Sequence, residues 1–159
     1  MDNHDYSVKT RTAHEVAGRV LALIAVTARV HKNEAKQTFA KLSQINLEPF
    51  FTPSEREFFF SDTPSERDMV NFSWRAEALA SLIWALKGLE VFPPLNQQTA
   101  VGGLDFVQAA LDDPEFFIAN SRLRPFAEIQ ALEADMYQQH WRVRDAQLFN
   151  PDSPLAPIL

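Results

Sequence analysis

The chain has 159 residues, of which 46% are hydrophobic and 23% are charged, and its net charge is −6. This composition is typical of a folded globular protein, and it argues against a disordered chain or one that binds nucleic-acid phosphates, which needs a basic surface. The absence of cysteine excludes disulfides, thiolate zinc sites and a cysteine nucleophile. The N-terminus is acidic and polar, and the longest apolar run, Val20 to Val30, is shorter than a bilayer requires. We therefore expect neither a secretory signal nor a membrane span.

The first part of the chain predicts a tail and two helices. Residues 1–10 are expected to form a flexible N-terminal tail. Thr12 and Glu15 have the spacing of a capping box, and apolar residues at helical spacing predict a first helix from about Ala13 to Lys32. Both sides of this helix are apolar or small, so we expect it to pack on two sides. A second, amphipathic helix is expected from about Glu34 to Ile45.

The pentapeptide Thr-Pro-Ser-Glu-Arg occurs twice, at residues 52–56 and 63–67. Each copy places a hydroxyl before proline and a glutamate two residues after that proline, which is typical of a helix start. We therefore predict that Thr52 and Thr63 are both N-caps. A repeat that binds a shared ligand, or phosphorylation of the two threonines, would also use this pattern, but capping alone explains every residue in it.

Further helices are expected along the rest of the chain. Residues 64–88 are predicted to form a central helix or a bent pair that ends at Gly88. Short helices are expected to begin near Asp105 and at Asp113, followed by a long helix from Pro125 to Leu148. The proline-rich residues 150–159 are expected to be extended.

These elements predict an all-α protein without a significant sheet. We expect a single compact helical domain of about six to eight helices over residues 11–149. The first helix, the helix Trp74–Leu86 and the helix Pro125–Leu148 are expected to form its centre.

Charged and polar side chains lie on the apolar faces of two predicted helices. Arg75 lies within the apolar arc of the central helix, where a guanidinium needs a carboxylate or several carbonyl groups as partners. In the last helix, Glu133 and three later residues form one stripe at the edge of the apolar arc. The candidate polar cluster comprises Arg75, Glu77, Glu133, Tyr137, His140 and Arg144.

Three interpretations of this cluster remain open. The favoured one is a structural network in which Glu133 pairs with Arg75 or Arg144 and fixes the register of two helices. The second is a binding site for a small anion, held by Arg75 and Arg144. The third is a hydrolase or transferase that uses Glu133 and His140 for acid–base catalysis beside Arg75.

The sequence contains no motif for a metal or a cofactor. No His-x-x-x-His or Glu-x-x-His pair occurs, and the four histidines lie far apart along the chain. There is no Gly-x-Ser-x-Gly, and Gly102–Gly103 is too little for a phosphate loop. We predict no cofactor and no catalytic residue.

The central segment resembles a known family. Its motif, W-R-x-E-A-L followed by W-A-L, is present as Trp74 to Leu79 and Trp84 to Leu86. On these residues, together with the segments 11–23 and 123–142, the chain is similar to the bacterial domain-of-unknown-function family 4272. The resemblance implies a helical fold and carries no established activity.

The resemblance also implies one difference. Members usually continue past the proline-rich segment into a further helix, which the chain as given lacks, so part of an apolar face is expected to be exposed or covered by a partner. We favour a soluble, cytoplasmic and non-enzymatic interaction or regulatory module, for example one that neutralises a toxin. The expected partner is another protein, of basic character, and neither nucleic acid nor membrane; the oligomeric state stays open.

Overall fold

The structure of the protein is a computed structural model that describes residues 11–31, 35–93 and 104–136. In these ranges the chain is helical and contains no strand, which confirms the all-α fold class. The elements are α1 (Ala13–Val30), α2 (Ala35–Leu42), a 3-10 turn η1 (Glu48–Phe50), α3 (Pro53–Phe60), α4 (Glu66–Ser73), α5 (Arg75–Ala85), α6 (Asp105–Asp112) and α7 (Pro114–Asn120). No helix among the described residues is both long enough and apolar enough to cross a bilayer.

The chain forms two compact units, Met1–Leu123 and Arg124–Leu159. Helices α1 to α7 and the turn η1 belong to the first unit. In the second unit residues 126–136 are helical, and the Pro125 carbonyl accepts hydrogen bonds from two amides of the first turn, as the predicted start requires. The continuation of this predicted helix to Leu148 and both predicted tails lie outside the described residues.

Helix α1 is the centre of the first unit. Eleven of its eighteen residues are buried, and they lie on every side of the helix. Thr12 caps it by accepting a hydrogen bond from the Glu15 amide at 3.2 Å. Around it pack α2, η1, α3, α4, α5 and α7. The prediction that the first helix packs on more than one side is confirmed.

A glycine in α1 forms the seat of an aromatic ring. Gly18 is buried, and a Cβ atom at this position would overlap three ring carbons of Phe50 from η1. The Phe50 carbonyl oxygen also accepts a hydrogen bond from Arg19 Nη1 at 2.9 Å. Phe50 is therefore fixed to α1 through both its side chain and its backbone.

The predicted central helix is a bent pair. Helix α4 ends at Ser73 and α5 begins at Arg75, with Trp74 as the junction. Trp74 keeps right-handed helical angles (φ −67°, ψ −14°), so the helix is interrupted there without the chain leaving the helical region. Its indole is 61% exposed.

Helix α5 ends in a Schellman motif in which the left-handed residue is a lysine. The Gly88 amide donates to the Ile83 carbonyl at 2.8 Å and the Lys87 amide to the Trp84 carbonyl at 2.9 Å. Lys87 has φ +68°, whereas Gly88 does not have a positive φ. Gly88 is needed for space instead, because a Cβ there would lie 2.6 Å from Ile83 Cγ2 and 2.7 Å from Phe106 Cγ. The prediction that the helix ends near Gly88 is confirmed, but the left-handed conformation that ends it belongs to Lys87 and not to the glycine.

The two copies of the pentapeptide begin their helices in different registers. Thr52 caps α3 in a complete capping box with Glu55, with Pro53 in the first turn. In the second copy the N-cap is Ser65, not Thr63, and Ser65 Oγ accepts a hydrogen bond from the Asp68 amide at 3.1 Å. The prediction of Thr63 as a cap is wrong. Serine is a stronger N-cap than threonine. In addition, Glu66 is exposed and has no ion pair in the described part of the chain, so nothing comparable to the contacts of Glu55 favours a helix start at Thr63.

Substitution of Gly18 tests its contact with the Phe50 ring through the direction of the change in stability. Gly18→Ala gains about 1 kcal/mol of helix propensity, but overpacking against Phe50 costs about 1–3 kcal/mol. We expect a net fall in the free energy of unfolding, measured by urea denaturation. In a Phe50→Ala background the same substitution should be neutral or stabilising. A loss of equal size in both backgrounds would contradict the contact.

The end of α5 gives a second test. Lys87→Gly puts a residue without a Cβ at the left-handed position and so removes the steric penalty of that conformation. We expect it to raise the free energy of unfolding by about 0.5–1 kcal/mol. Lys87→Ala keeps that conformation and is the matched control, expected to give no gain. Gly88→Ala should lower stability because its Cβ has no space. Thermal melts of the three variants check the order.

Candidate functional site

Glu55 is the polar centre of the first unit. Its side chain is 0% exposed, and its two carboxylate oxygens accept hydrogen bonds from three residues. Arg19 donates through Nη1 to Oε1 and through Nη2 to Oε2, the latter at 2.8 Å. Arg75 Nε donates to Oε2 and the Thr52 amide to Oε1, each at 2.9 Å. Each oxygen thus has two donors, which satisfies the carboxylate. We call Arg19, Glu55 and Arg75 the carboxylate clasp.

The clasp stabilises the charged form of a fully buried acid. Burial by itself raises the pKa of Glu55, but hydrogen bonds from Arg19, Thr52 and Arg75 and the positive charge of Arg19 outweigh it. The net effect lowers the pKa of Glu55 from 4.5 to about 2. A satisfied carboxylate with so low a pKa is a poor proton acceptor at neutral pH, so its chemistry fits a structural ion pair better than a general base.

Two arginines of α1 hold the two ends of α3. Arg19 meets Glu55 in the first turn of α3, and Arg29 Nη2 donates to the Ser61 carbonyl at its C-cap. The arginines are ten residues apart, which corresponds to about 15 Å along α1. The order of these contacts shows that α3 runs in the same direction as α1. A carboxylate at the start and a cation at the end both complement the dipole of α3.

Arg75 lies at the solvent side of the clasp. Its side chain is 36% exposed, and its guanidinium carbon lies 5.3 Å from the centroid of the Phe72 ring. Phe72 in turn stacks on Phe58 at 4.3 Å. The position of Arg75 in the apolar arc predicts a buried arginine, but the side chain is half-buried. The Phe72 ring and the Glu55 carboxylate compensate for the water contacts that the Arg75 guanidinium loses.

The residues of the predicted polar cluster have different surroundings in the structure. The carboxylate that meets Arg75 is Glu55, which the predicted cluster does not include; the pairing of Glu133 with Arg75 or Arg144 stays a prediction. Glu77 is half-buried in the first turn of α5, and Glu133 is exposed in the helical residues 126–136. Three members of the predicted cluster lie outside the described residues: Tyr137, His140 and Arg144. No three acidic or histidine side chains in the described ranges are grouped closely enough to hold a metal ion.

Sequence reasoning missed Glu55 and Arg19. It assigned Glu55 only to a capping box, whose glutamate needs no buried partner. The available signal was the composition of α1: a helix predicted to pack on two sides leaves Arg19 and Arg29 without a solvent face. Both therefore required acceptors, as Arg75 did, and Glu55 lies three residues before Phe58 on the same helix face, where a carboxylate faces the core.

A shallow aromatic surface lies between α2 and α3, beside the clasp. One depression of about 340 Å³ has a mostly apolar lining. There the centroid of the Phe59 ring lies about 5 Å from the ring centroids of Phe39, Phe51 and Phe60. A second, of about 420 Å³, lies on the outer side of α3 and is lined by Glu48, Pro53, Arg56, Glu57 and Phe60. Glu48 and Phe60 line both, so the depressions adjoin, and Phe60 is 58% exposed between them. We call this surface the α2–α3 groove; its main apolar residues are Phe39, Leu42, Ile45, Phe51, Phe59 and Phe60.

Comparison with known proteins identifies the family. The model of the family described as "Domain of unknown function (DUF4272)" matches residues 3–156, nearly the whole chain. The chain belongs to the DUF4272 family. Neither the curated proteins nor the solved structures gave a match. In this DUF4272 protein the W-R-x-E-A-L motif forms the α4–α5 junction and the first half of α5, and its arginine, Arg75, belongs to the carboxylate clasp.

Stability of this DUF4272 protein should depend on pH through Glu55. The folded pKa is depressed, so the stabilisation is complete above the unfolded value of 4.5 and is lost as pH falls toward about 2. The shift corresponds to roughly 3 kcal/mol. We expect Glu55→Gln to lower the free energy of unfolding by about 3–5 kcal/mol at pH 7 and by progressively less below pH 4.

The matched control is an exposed ion pair between η1 and α3. Arg56 Nη2 lies 3.4 Å from Glu48 Oε1, and both side chains are more than half exposed. Glu48→Gln should change stability by less than about 1 kcal/mol at every pH. Urea unfolding of the wild type and both variants between pH 2 and pH 7 checks both. A deficit of Glu55→Gln that does not depend on pH would contradict the assigned ion pair.

Proposed function

We propose that this DUF4272 protein is a non-enzymatic interaction module that binds another protein through the α2–α3 groove. We place it in the bacterial cytoplasm, and neutralisation of a toxin is one form that such a role takes. The observation that carries the proposal is Phe60, a large apolar side chain that is mostly exposed between two adjoining depressions. Exposed apolar surface of this kind, bordered by polar residues, is typical of protein-binding sites.

The chemistry of the clasp supports the same proposal. Glu55, a fully buried acid, has all its acceptor positions filled by Arg19, Arg75 and Thr52. Its position favours a scaffold that holds α3 in place, because a reacting carboxylate needs an acceptor position free for substrate or water. Since α3 forms one side of the groove, the ion pairs serve the binding surface by fixing that helix.

Small-anion binding is the second candidate, on one observation. Arg75 donates to Glu55 only through Nε, and its side chain is 36% exposed. Its terminal nitrogens have no acceptor among the described residues, so they are available to bind the carboxylate or phosphate group of a ligand. The arrangement with Arg144, and acid–base catalysis by Glu133 and His140, stay predictions, because two of these residues lie outside the described ranges.

Affinity capture with matched variants tests the interaction. Wild-type protein, Phe60→Ser and Phe116→Ser are immobilised and exposed to native lysate, and each retained protein is identified, purified and measured again for direct binding. Phe116 is 63% exposed and lines neither depression, so its variant controls for loss of an exposed phenylalanine.

We expect a partner that binds the wild type and Phe116→Ser with equal affinity and Phe60→Ser about tenfold or more weakly. The proposal is contradicted if no protein binds directly, or if every direct partner binds Phe60→Ser as well as it binds the wild type.

A further inference from the structure

We infer that the α2–α3 groove binds an amphipathic helix whose polar edge is basic and lies along α3. This inference rests on the proposed function and names the class of its partner. Three properties of the described residues support it: the shape of the apolar surface, the distribution of charge on its two sides, and the rigidity of the α3 side.

The shape fits a helix more closely than a small ligand. The depressions adjoin along α3, and each is open to solvent, whereas small-molecule pockets enclose most of their ligand. Leu42 and Leu47 are buried below the first depression, while the ring of Phe60 projects beside it. An amphipathic helix presents apolar side chains at i, i+3, i+4 and i+7, which is the spacing needed to fill neighbouring depressions on either side of such a ridge.

Charge distinguishes the two sides of the groove. The charged residues that line the two depressions all lie in η1 and α3, and they comprise two carboxylates against one guanidinium group: Glu48 and Glu57 against Arg56. On the opposite side α2 carries Lys36 and Lys41, and Lys41 pairs with Asp112 at 3.1 Å. The acidic side is therefore the side of α3. A basic edge of the bound helix pairs with it, and an acidic edge is repelled.

One of the two carboxylates that line the depressions is available for that contact. Glu48 already pairs with Arg56, but Glu57 is exposed, lines the second depression and has no ion-pair partner in the described part of the chain. The net charge of −6 adds a long-range attraction for a basic partner. We therefore assign Glu57 as the residue that sets charge preference and Phe60 as the apolar anchor.

The α3 side is also held rigidly. The clasp fixes its first turn to α1 and α5, and Arg29 fixes its end through the Ser61 carbonyl. A preformed surface loses less conformational entropy on binding than one that must be ordered first. The groove thus presents Glu57 and Phe60 in one fixed relation to the incoming helix.

Two synthetic helices of 18 residues test the charge preference. They share one stripe of leucines and differ only in that the polar positions are lysine in one and glutamate in the other. Binding to the full chain is measured by fluorescence anisotropy at two salt concentrations. We expect the lysine helix to bind at least about tenfold more tightly than the glutamate helix, with a preference that shrinks at high salt.

Three variants locate the binding site. Phe60→Ser should weaken binding of the lysine helix by about tenfold, while Phe116→Ser should leave it unchanged. Glu57→Lys should reduce the preference for lysine over glutamate to less than about threefold, because it reverses the free charge beside the anchor. Circular dichroism establishes that each variant is folded, which is expected since all three residues are exposed.

Each remaining outcome overturns the inference. It fails if the glutamate helix binds as tightly as the lysine helix, if neither binds, or if the lysine helix is insensitive to both Phe60→Ser and Glu57→Lys. The proposed function fails separately: a Phe60-dependent partner without a basic helix contradicts only this inference, whereas the absence of any Phe60-dependent partner contradicts the proposed function itself.

Discussion

The relative position of α1, α3 and α5 depends on one carboxylate that is withdrawn from water. Glu55 connects α1 through Arg19, 36 residues away, and α5 through Arg75, 20 residues away. Transfer of these charges into the protein interior is unfavourable, and only the complete set of hydrogen bonds compensates for it. The arrangement therefore tolerates one relative position of α1, α3 and α5. Hydrophobic contacts alone would permit helices to slide against one another, and the ion pairs remove that freedom.

The same constraint explains the character of α1. A helix with buried residues on every side has no polar face on which a charge can remain solvated. Its two arginines consequently bond to the segment 50–61: Arg19 to Phe50 and Glu55, and Arg29 to Ser61. Gly18 adds a steric constraint at the same place by accepting the Phe50 ring. Polar pairing and close packing thus fix one segment against one helix, and this segment forms a side of the groove.

The sequence predicted the local elements well and the long-range pairings poorly. Helical periodicity located α1, and capping chemistry located the start of α3, because these depend on neighbours within one turn. It could not distinguish the two identical pentapeptides, since their registers differ through the partners of Glu55, which Glu66 lacks among the described residues. The same reason explains why the need of Arg75 for a carboxylate was predicted, while Glu55 was not recognised as that carboxylate. Periodicity identifies an unpaired charge but not which distant residue meets it.

Helix α3 has a consequence for the order in which the protein loses structure. Eight residues are too few for a helix that persists alone, so its stability comes from the cap at Thr52, the clasp, Arg29 and the buried ring of Phe58. Protonation of Glu55 removes the ion pairs of the clasp and leaves the apolar contacts of the other helices intact. Acid should therefore open α3 as a separate cooperative unit before global unfolding, with exchange of its amide protons ahead of those in α1. The binding surface would then be lost while most of the molecule remains folded.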